Sequence, residues 1–290
     1  MFKGVYTALI TPFLENKKVD YASLKKLLWF QEQSSVDGVV LLGTTAEECT
    51  LTSLECIKII KHALNILKTK KIVLGISGNC TQNVIKRVKL YNKFDAISGY
   101  LIGTPYYNKP TSNGLVEHFV KISQASQKPI ILYNIPGRCG VKLDFDTLAQ
   151  LQPYKNIVAI KEASGDIDYF TKLIAEFGSR YNILCGNDNI FLPMLSCGAV
   201  GCISVVSNIL PSVPSNIYKN YKTNLEKCIF LHNKFNLFIN NLFIETNPAC
   251  IKYVLSKYGF CDNILREPLT TIKSASKNKI DCSIKDLFNV

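Results

Sequence analysis

Apolar positions along this chain fall into short continuous runs. Each run is followed by a longer stretch in which apolar residues return every three or four positions. Runs such as Val39-Val40-Leu41-Leu42 and Ile130-Ile131-Leu132-Tyr133 lack the alternation of a half-exposed strand. Continuous apolarity marks strands buried on both faces, hence parallel ones. The runs predict strands at 4–10, 38–43, 71–77, 97–103, 129–134, 157–161, 181–185 and 199–205. Helical periodicity between them predicts helices at 21–33, 53–68, 81–93, 113–126, 144–151, 166–177, 190–197 and 212–222. Asp20 can cap the first, where Leu24, Leu27, Leu28 and Gln31 share a face. Thr52-Ser53-Leu54-Glu55 is a capping box opening the second.

Strand–helix alternation implies a parallel sheet, and eight such units in about 220 residues imply a TIM barrel. A doubly wound open sheet is the alternative, but no Gly-x-Gly-x-x-Gly follows any strand. Beyond residue 223 the rhythm changes. Helices are expected at 224–241, 247–258 and 268–275 with no strand between them, their apolar face supplied by Phe235, Leu237, Phe238, Leu242 and Phe243. The expected architecture is therefore α/β: a (β/α)8 barrel over 1–223 carrying the active site, and a helical appendage over 224–290 packed on it.

Composition narrows the function classes. Of 290 residues, 47% are hydrophobic and only 19% charged, which excludes a disordered chain. The net charge of +12 raises nucleic-acid binding, but the basic residues are dispersed and no nucleic-acid motif accompanies them. A solvated basic surface that attracts small anions is the plainer reading. The 11 cysteines are odd in number, scattered and never arranged as Cys-x-x-Cys, which points to free thiols in a reducing compartment. His62, His118 and His232 lie in separate helical stretches, which argues against a histidine metal site. The N-terminal apolar run is too short for a signal peptide. No charge falls between Asp188 and Lys219, but interruptions such as Pro193, Gly198, Pro211 and Pro214 favour a buried helix and strand over a membrane span. A soluble, cytoplasmic protein is expected, with neither nucleic acid nor membrane as partner.

Catalytic groups of a TIM barrel sit at the C-terminal ends of its strands. Those ends carry Gly43-Thr44-Thr45, Tyr106-Tyr107-Asn108, Tyr133-Asn134, Lys161-Glu162, Gly186-Asn187-Asp188 and Ser204, and the loop after the fifth strand adds Gly137-Arg138. Lys161 is the most informative. Burial at the end of an apolar strand disfavours the ammonium, and a neutral amine can attack a carbonyl to form a Schiff base. Alternatively Lys161 snorkels outward or pairs with Glu162, although strand alternation sends those two side chains to opposite faces. Tyr133, one strand away, could bring its hydroxyl near the lysine and shuttle protons, or be a core tyrosine. Thr44 and Thr45 could bind a carboxylate or simply serve the turn. Arg138 could clamp a carboxylate or be a surface arginine, and the residues alone leave that open. No serine-hydrolase elbow, P-loop or zinc-protease signature occurs, and lysine-based lyase chemistry needs no cofactor.

Taken together, Gly43-Thr44-Thr45-Ala46-Glu47, Thr104-Pro105-Tyr106-Tyr107-Asn108, Tyr133-Asn134-Ile135-Pro136-Gly137-Arg138 and Ile160-Lys161-Glu162-Ala163-Ser164-Gly165 resemble the dihydrodipicolinate synthase / N-acetylneuraminate lyase family. Gly201-Cys202-Ile203-Ser204-Val205 and Glu245-Thr246-Asn247-Pro248 also fit, and the resemblance covers nearly the whole chain. It is greatest to the synthase branch, which implies condensation of pyruvate with aspartate semialdehyde in the diaminopimelate/lysine pathway. By that resemblance Lys161 forms the Schiff base and Tyr133 is the central proton donor and acceptor. Thr44 and Tyr107 complete a proton relay, Tyr107 reaching in from a neighbouring subunit of a homotetramer built as a dimer of dimers. Thr45 and the backbone at Ile203 hold the pyruvate carboxylate. Arg138 binds the semialdehyde carboxylate, with Gly186 also on the substrate side. Neuraminate lyases usually lack an arginine at the place of Arg138, so its presence favours a short carboxylate-bearing aldehyde over a sugar acid. Another pyruvate-dependent aldolase and a non-catalytic paralogue are the competing readings.

Departures from the family pattern are few. Ala46 stands where glycine is usual, which would add strain if that residue needed positive φ. Cys139 and Ser164 stand where threonine is common. Lysine-inhibited members tend to carry glutamate at the place of Val84 and histidine at that of Cys56, so weak or absent lysine inhibition is expected.

Overall fold

The computed structural model describes residues 1–288. Eight strands form one closed parallel barrel in chain order: β1 Gly4–Ala8, β2 Gly38–Leu41, β3 Lys71–Gly75, β4 Ile97–Gly103, β5 Ile130–Asn134, β6 Ile157–Glu162, β7 Asn182–Cys185 and β8 Gly201–Ser204. All eight runs read from the sequence are strands. The helices between them are α1 Tyr21–Gln33, α2 Ser53–Ile66, α3 Thr81–Tyr91, α4 Ser112–Ala125, α5 Pro136–Cys139, α6 Phe145–Leu151, α7 Ile167–Phe177, α8 Phe191–Ser196 and α9 Ser212–Asn220. The expected caps are present. Asp20 accepts from the amides of Ala22 and Ser23, and Thr52 and Glu55 cap each other reciprocally.

Contacts group the chain into two compact units, one of Met1–Gly4 with Lys71–Ile203, the other of 5–70 with the chain from 204 onward. In the first, β3 to β8 pair side by side in parallel, so the C-terminal ends of these strands share one edge. Its core includes Ile102, Ile131, Leu132, Ile160 and Leu184, all fully buried. In the second, β1 pairs with β2, and Leu27, Leu28, Val39, Ile60 and Ile251 are buried. Gln31 lies on the buried face of α1 as expected, accepting from the Thr7 hydroxyl at 2.7 Å and donating to the Ser207 carbonyl at 3.0 Å. A buried amide is tolerated there because both its ends are hydrogen-bonded.

The C-terminal segment forms α10 Leu225–Asn241, α11 Ala249–Lys257 and α12 Ser274–Phe288. The third helix expected at 268–275 is wrong. Pro268 and the β-branched pair Thr270-Thr271 hold that stretch out of helix, and α12 begins at Ser274. The apolar face of α10 is also narrower than expected, because Phe238 and Leu242 are buried whereas Leu237 and Phe243 are exposed. Leu237 sits a helical step of about 100° away from Phe238, outside the stripe. No helix among the described residues is long and apolar enough to cross a membrane.

Candidate active site

In the first unit the register sets Tyr133 of β5 directly beside Lys161 of β6, with Leu184 of β7 on the other flank. Lys161 is only 6% exposed, and its Nζ lies 4.2 Å from the centroid of the Tyr133 ring, itself buried. The amine meets the ring face, where the negative end of the aromatic quadrupole lies.

Glu162 points the other way, as strand alternation requires. Its carboxylate accepts from Asn134 Nδ2 at 2.6 Å and from the Ser164 amide. Burial raises the pKa of this acid, with those two donors opposing the shift. Asn134 Oδ1 in turn accepts from the Leu143 amide at 3.0 Å, which ties the end of β5 to the entry of α6.

Two glycines make room around this pair. A Cβ on Gly186 would lie 2.6 Å from the Ala163 Cβ and 3.0 Å from the Lys161 Cε. A Cβ on Gly103, the register partner of Tyr133, would lie 2.8 Å from Ser77 Oγ. Gly186 was singled out in the sequence. Gly103 was not, though a glycine closing an apolar strand is a signal of close approach.

The other predicted residues of this unit are spread along the same edge. Arg138 is exposed on the one-turn helix α5, which Pro136 opens and Gly140 closes at φ 72°. Ile203 is buried within β8. Tyr107 follows β4 on left-handed backbone, φ 73°, with its side chain 87% exposed. It therefore makes little contact with its own chain.

In the second unit, Thr44 and Thr45 open a 3-10 turn over Thr44–Ala46 just past β2. Thr44 is half-buried and Thr45 is 4% exposed. Ala46 is helical. The positive φ falls one residue later, at Glu47 (φ 54°), so the strain expected of Ala46 does not arise. Asn247 Nδ2 donates to Thr45 Oγ1 at 2.9 Å. Glu47 forms an ion pair with Lys252 of α11, neither side chain exposed. Lys252 also donates to the Ile264 carbonyl at 2.8 Å and lies 4.1 Å from the Phe13 ring centroid. Desolvation lowers its pKa, and the Glu47 charge opposes that. The Arg266 amide donates to the other Glu47 oxygen at 2.9 Å, and its guanidinium binds the Thr50 carbonyl and Glu55. Lys252, Arg266 and the Asn247 side chain went unnoticed as site-related in the sequence. The Glu245-Thr246-Asn247-Pro248 motif was the only signal for Asn247, and Lys252 and Arg266 had none.

Among the described residues, no group of three or more His, Cys, Asp or Glu is placed to hold a metal ion.

The closed eight-stranded parallel barrel is also the fold of the solved structures to which this chain is similar. A family model described as the dihydrodipicolinate synthetase family matches residues 1–287. The chain belongs to that family. Among its relatives, the 4-hydroxy-tetrahydrodipicolinate synthase of Parabacteroides distasonis is 39% identical over 281 residues, covering 96% of this chain and 94% of the relative. The 4-hydroxy-tetrahydrodipicolinate synthase structure from Methylacidiphilum fumariolicum SolV superposes with a TM-score of 0.96 at 36% identity, covering 100% of this chain and 97% of the other. A chloride-inhibited dihydrodipicolinate synthase from Acinetobacter baumannii, solved in complex with pyruvate, superposes with a TM-score of 0.95 at 33% identity over 100% of both chains. The family resemblance and the TIM barrel read from the sequence are thus both correct.

Proposed function

We propose that this chain catalyses the 4-hydroxy-tetrahydrodipicolinate synthase reaction, the condensation of pyruvate with aspartate semialdehyde in diaminopimelate/lysine biosynthesis. The observation that carries the reading is the buried Lys161 amine against the Tyr133 ring. The lysine nitrogen attacks the pyruvate keto carbon, and the keto oxygen leaves as water after protonation through Tyr133. Loss of a methyl proton turns the iminium into an enamine. Its terminal carbon then bonds to the aldehyde carbon of the second substrate, whose oxygen takes up a proton. The amine of the semialdehyde attacks the imine carbon, closes the ring and releases Lys161. Atoms balance with one water lost, and no cofactor is required.

In this reading Thr44 and Tyr107 relay the proton. Thr45 and the Ile203 backbone hold the pyruvate carboxylate, and Arg138 holds that of the semialdehyde beside Gly186. The exposure of Tyr107 supports a role at a neighbouring subunit, within a cytoplasmic homotetramer. In the same reading residues 1–223 are the barrel that carries the reacting groups and the chain from 224 is the helical extension, whose last two positions, 289 and 290, lie outside the described residues.

Purified protein mixed with both substrates and a coupled NADPH-dependent reductase should show robust turnover, and borohydride should trap pyruvate on Lys161. Trapping without turnover would redirect the assignment to a sugar-acid lyase. Neither would leave a non-catalytic protein.

A further inference from the structure

Thr45 is bonded on its acceptor side. A hydroxyl has one hydrogen to give and lone pairs to receive. Here Asn247 Nδ2 donates to Thr45 Oγ1 at 2.9 Å, so a lone pair is occupied and the threonine's own hydrogen is turned elsewhere. A carboxylate offers only acceptors. A threonine that serves a carboxylate must therefore donate, and the amide of Asn247 commits it to doing so.

The segment that leads into α11 and the helix itself grip the threonine turn at two points. Asn247 holds the Thr45 side chain, and Lys252, five residues on, holds Glu47. The Arg266 amide adds a third hold on Glu47. Glu47 sits at φ 54°, a conformation that persists only where surrounding contacts over-determine it. With the turn clamped and Thr45 buried, the direction of one hydrogen bond decides what the hydroxyl presents to a ligand.

We propose that Asn247 is a positioning residue acting through Thr45: its amide orients the Thr45 hydroxyl as a donor and thereby sets pyruvate affinity rather than the rate of bond formation. This rests on the reading that Thr45 holds the pyruvate carboxylate.

Asn247→Asp tests it, because the nearly isosteric carboxylate accepts only and reverses the bond to Thr45. The KM for pyruvate should rise about 10-fold. The pyruvate concentration for half-maximal borohydride trapping should rise by the same factor, while kcat and the KM for aspartate semialdehyde stay within about 3-fold, as loss of ground-state binding alone requires. Thr45→Val should raise the pyruvate KM as well, and the double variant should raise it no further, since both act through one hydroxyl. If Asn247→Asp does not fold, Asn247→Ala removes the donor and should raise the same KM several-fold.

A pyruvate KM unchanged in both Asn247 variants, with Thr45→Val impaired, overturns the inference alone. So does a further rise in the double variant, which would mean direct repulsion of pyruvate by the new carboxylate. An unchanged KM in Thr45→Val overturns the carboxylate reading itself, and the inference with it.

Discussion

Tyr133 and Lys161 are register partners on adjacent parallel strands, with the lysine nitrogen 4.2 Å from the centre of the tyrosine ring. The ring and the hydroxyl of Tyr133 thus have separable jobs. Tyr133→Phe keeps the surface on which the amine rests and removes the proton carrier. Its kcat should fall by about 10²–10⁴, while borohydride still traps pyruvate on the protein. Lys161→Ala should lose both turnover and trapping. A Tyr133→Phe enzyme with wild-type kcat would reduce Tyr133 to packing.

Arg138 is exposed on α5, so its loss should spare the fold. Arg138→Ala should raise the KM for aspartate semialdehyde by one to two orders of magnitude, about 1.5–3 kcal/mol for a lost charged hydrogen bond, with pyruvate trapping unaffected. Unchanged aldehyde kinetics would remove the main support for a short carboxylate-bearing substrate.

Gly186 leaves no space for a side chain beside the Lys161 stem. Gly186→Ala should displace Lys161, lower kcat and destabilise the protein by about 1–3 kcal/mol through overpacking. Denaturant melts and the coupled assay together measure both effects. A variant of wild-type stability and activity would show that the neighbouring strand end yields freely.

Val84 is buried on α3, its Cγ2 only 3.0 Å from where a Gly78 Cβ would stand, and Cys56 is buried on α2. Neither supplies a carboxylate for an inhibitor's ammonium. Lysine at about 1 mM or below, where only weak binding escapes detection, should leave turnover nearly unchanged. Potent inhibition in that range would show that other groups make the site.

His118 of α4 is buried, with Nδ1 hydrogen-bonded to the Thr81 hydroxyl at 2.9 Å and Nε2 without a partner among the described residues. Burial pushes its pKa down from 6.5 to about 4. The folded state therefore resists a proton that the unfolded chain accepts below 6.5. Stability should be full above pH 6.5, decline between 6.5 and about 4, and level off below as far as this group is concerned. The decline is on the order of 3 kcal/mol. His118→Gln should flatten that part of the stability–pH curve, and an unchanged slope would assign it to other groups.

What the chain encodes locally was legible in advance. The eight apolar runs, the caps at Asp20 and Thr52, and the placement of Lys161 and Tyr133 at strand ends all depend on neighbours within a few residues. So does the opposite facing of Lys161 and Glu162, which follows from the two-residue repeat of a strand. Helix 268–275 was misread because the lysine-rich stretch after it carries a weak apolar pattern, whose anchoring Ile280 is identified only by burial.

The contacts that shape the threonine turn were out of reach of such reading. Asn247 and Thr45 are 202 positions apart, and Arg266 and Glu47 are 219 apart. Periodicity and capping report hydrogen bonds made within one turn or along one strand. They carry no information on which loop meets which once the chain has closed on itself. The sequence by itself determined the barrel and the residues at its strand ends. Only the tertiary structure decided that Lys161 rests on the face of Tyr133, that Glu47 rather than Ala46 takes the left-handed backbone, and that Asn247 donates to Thr45. These depend on register and on packing between distant segments.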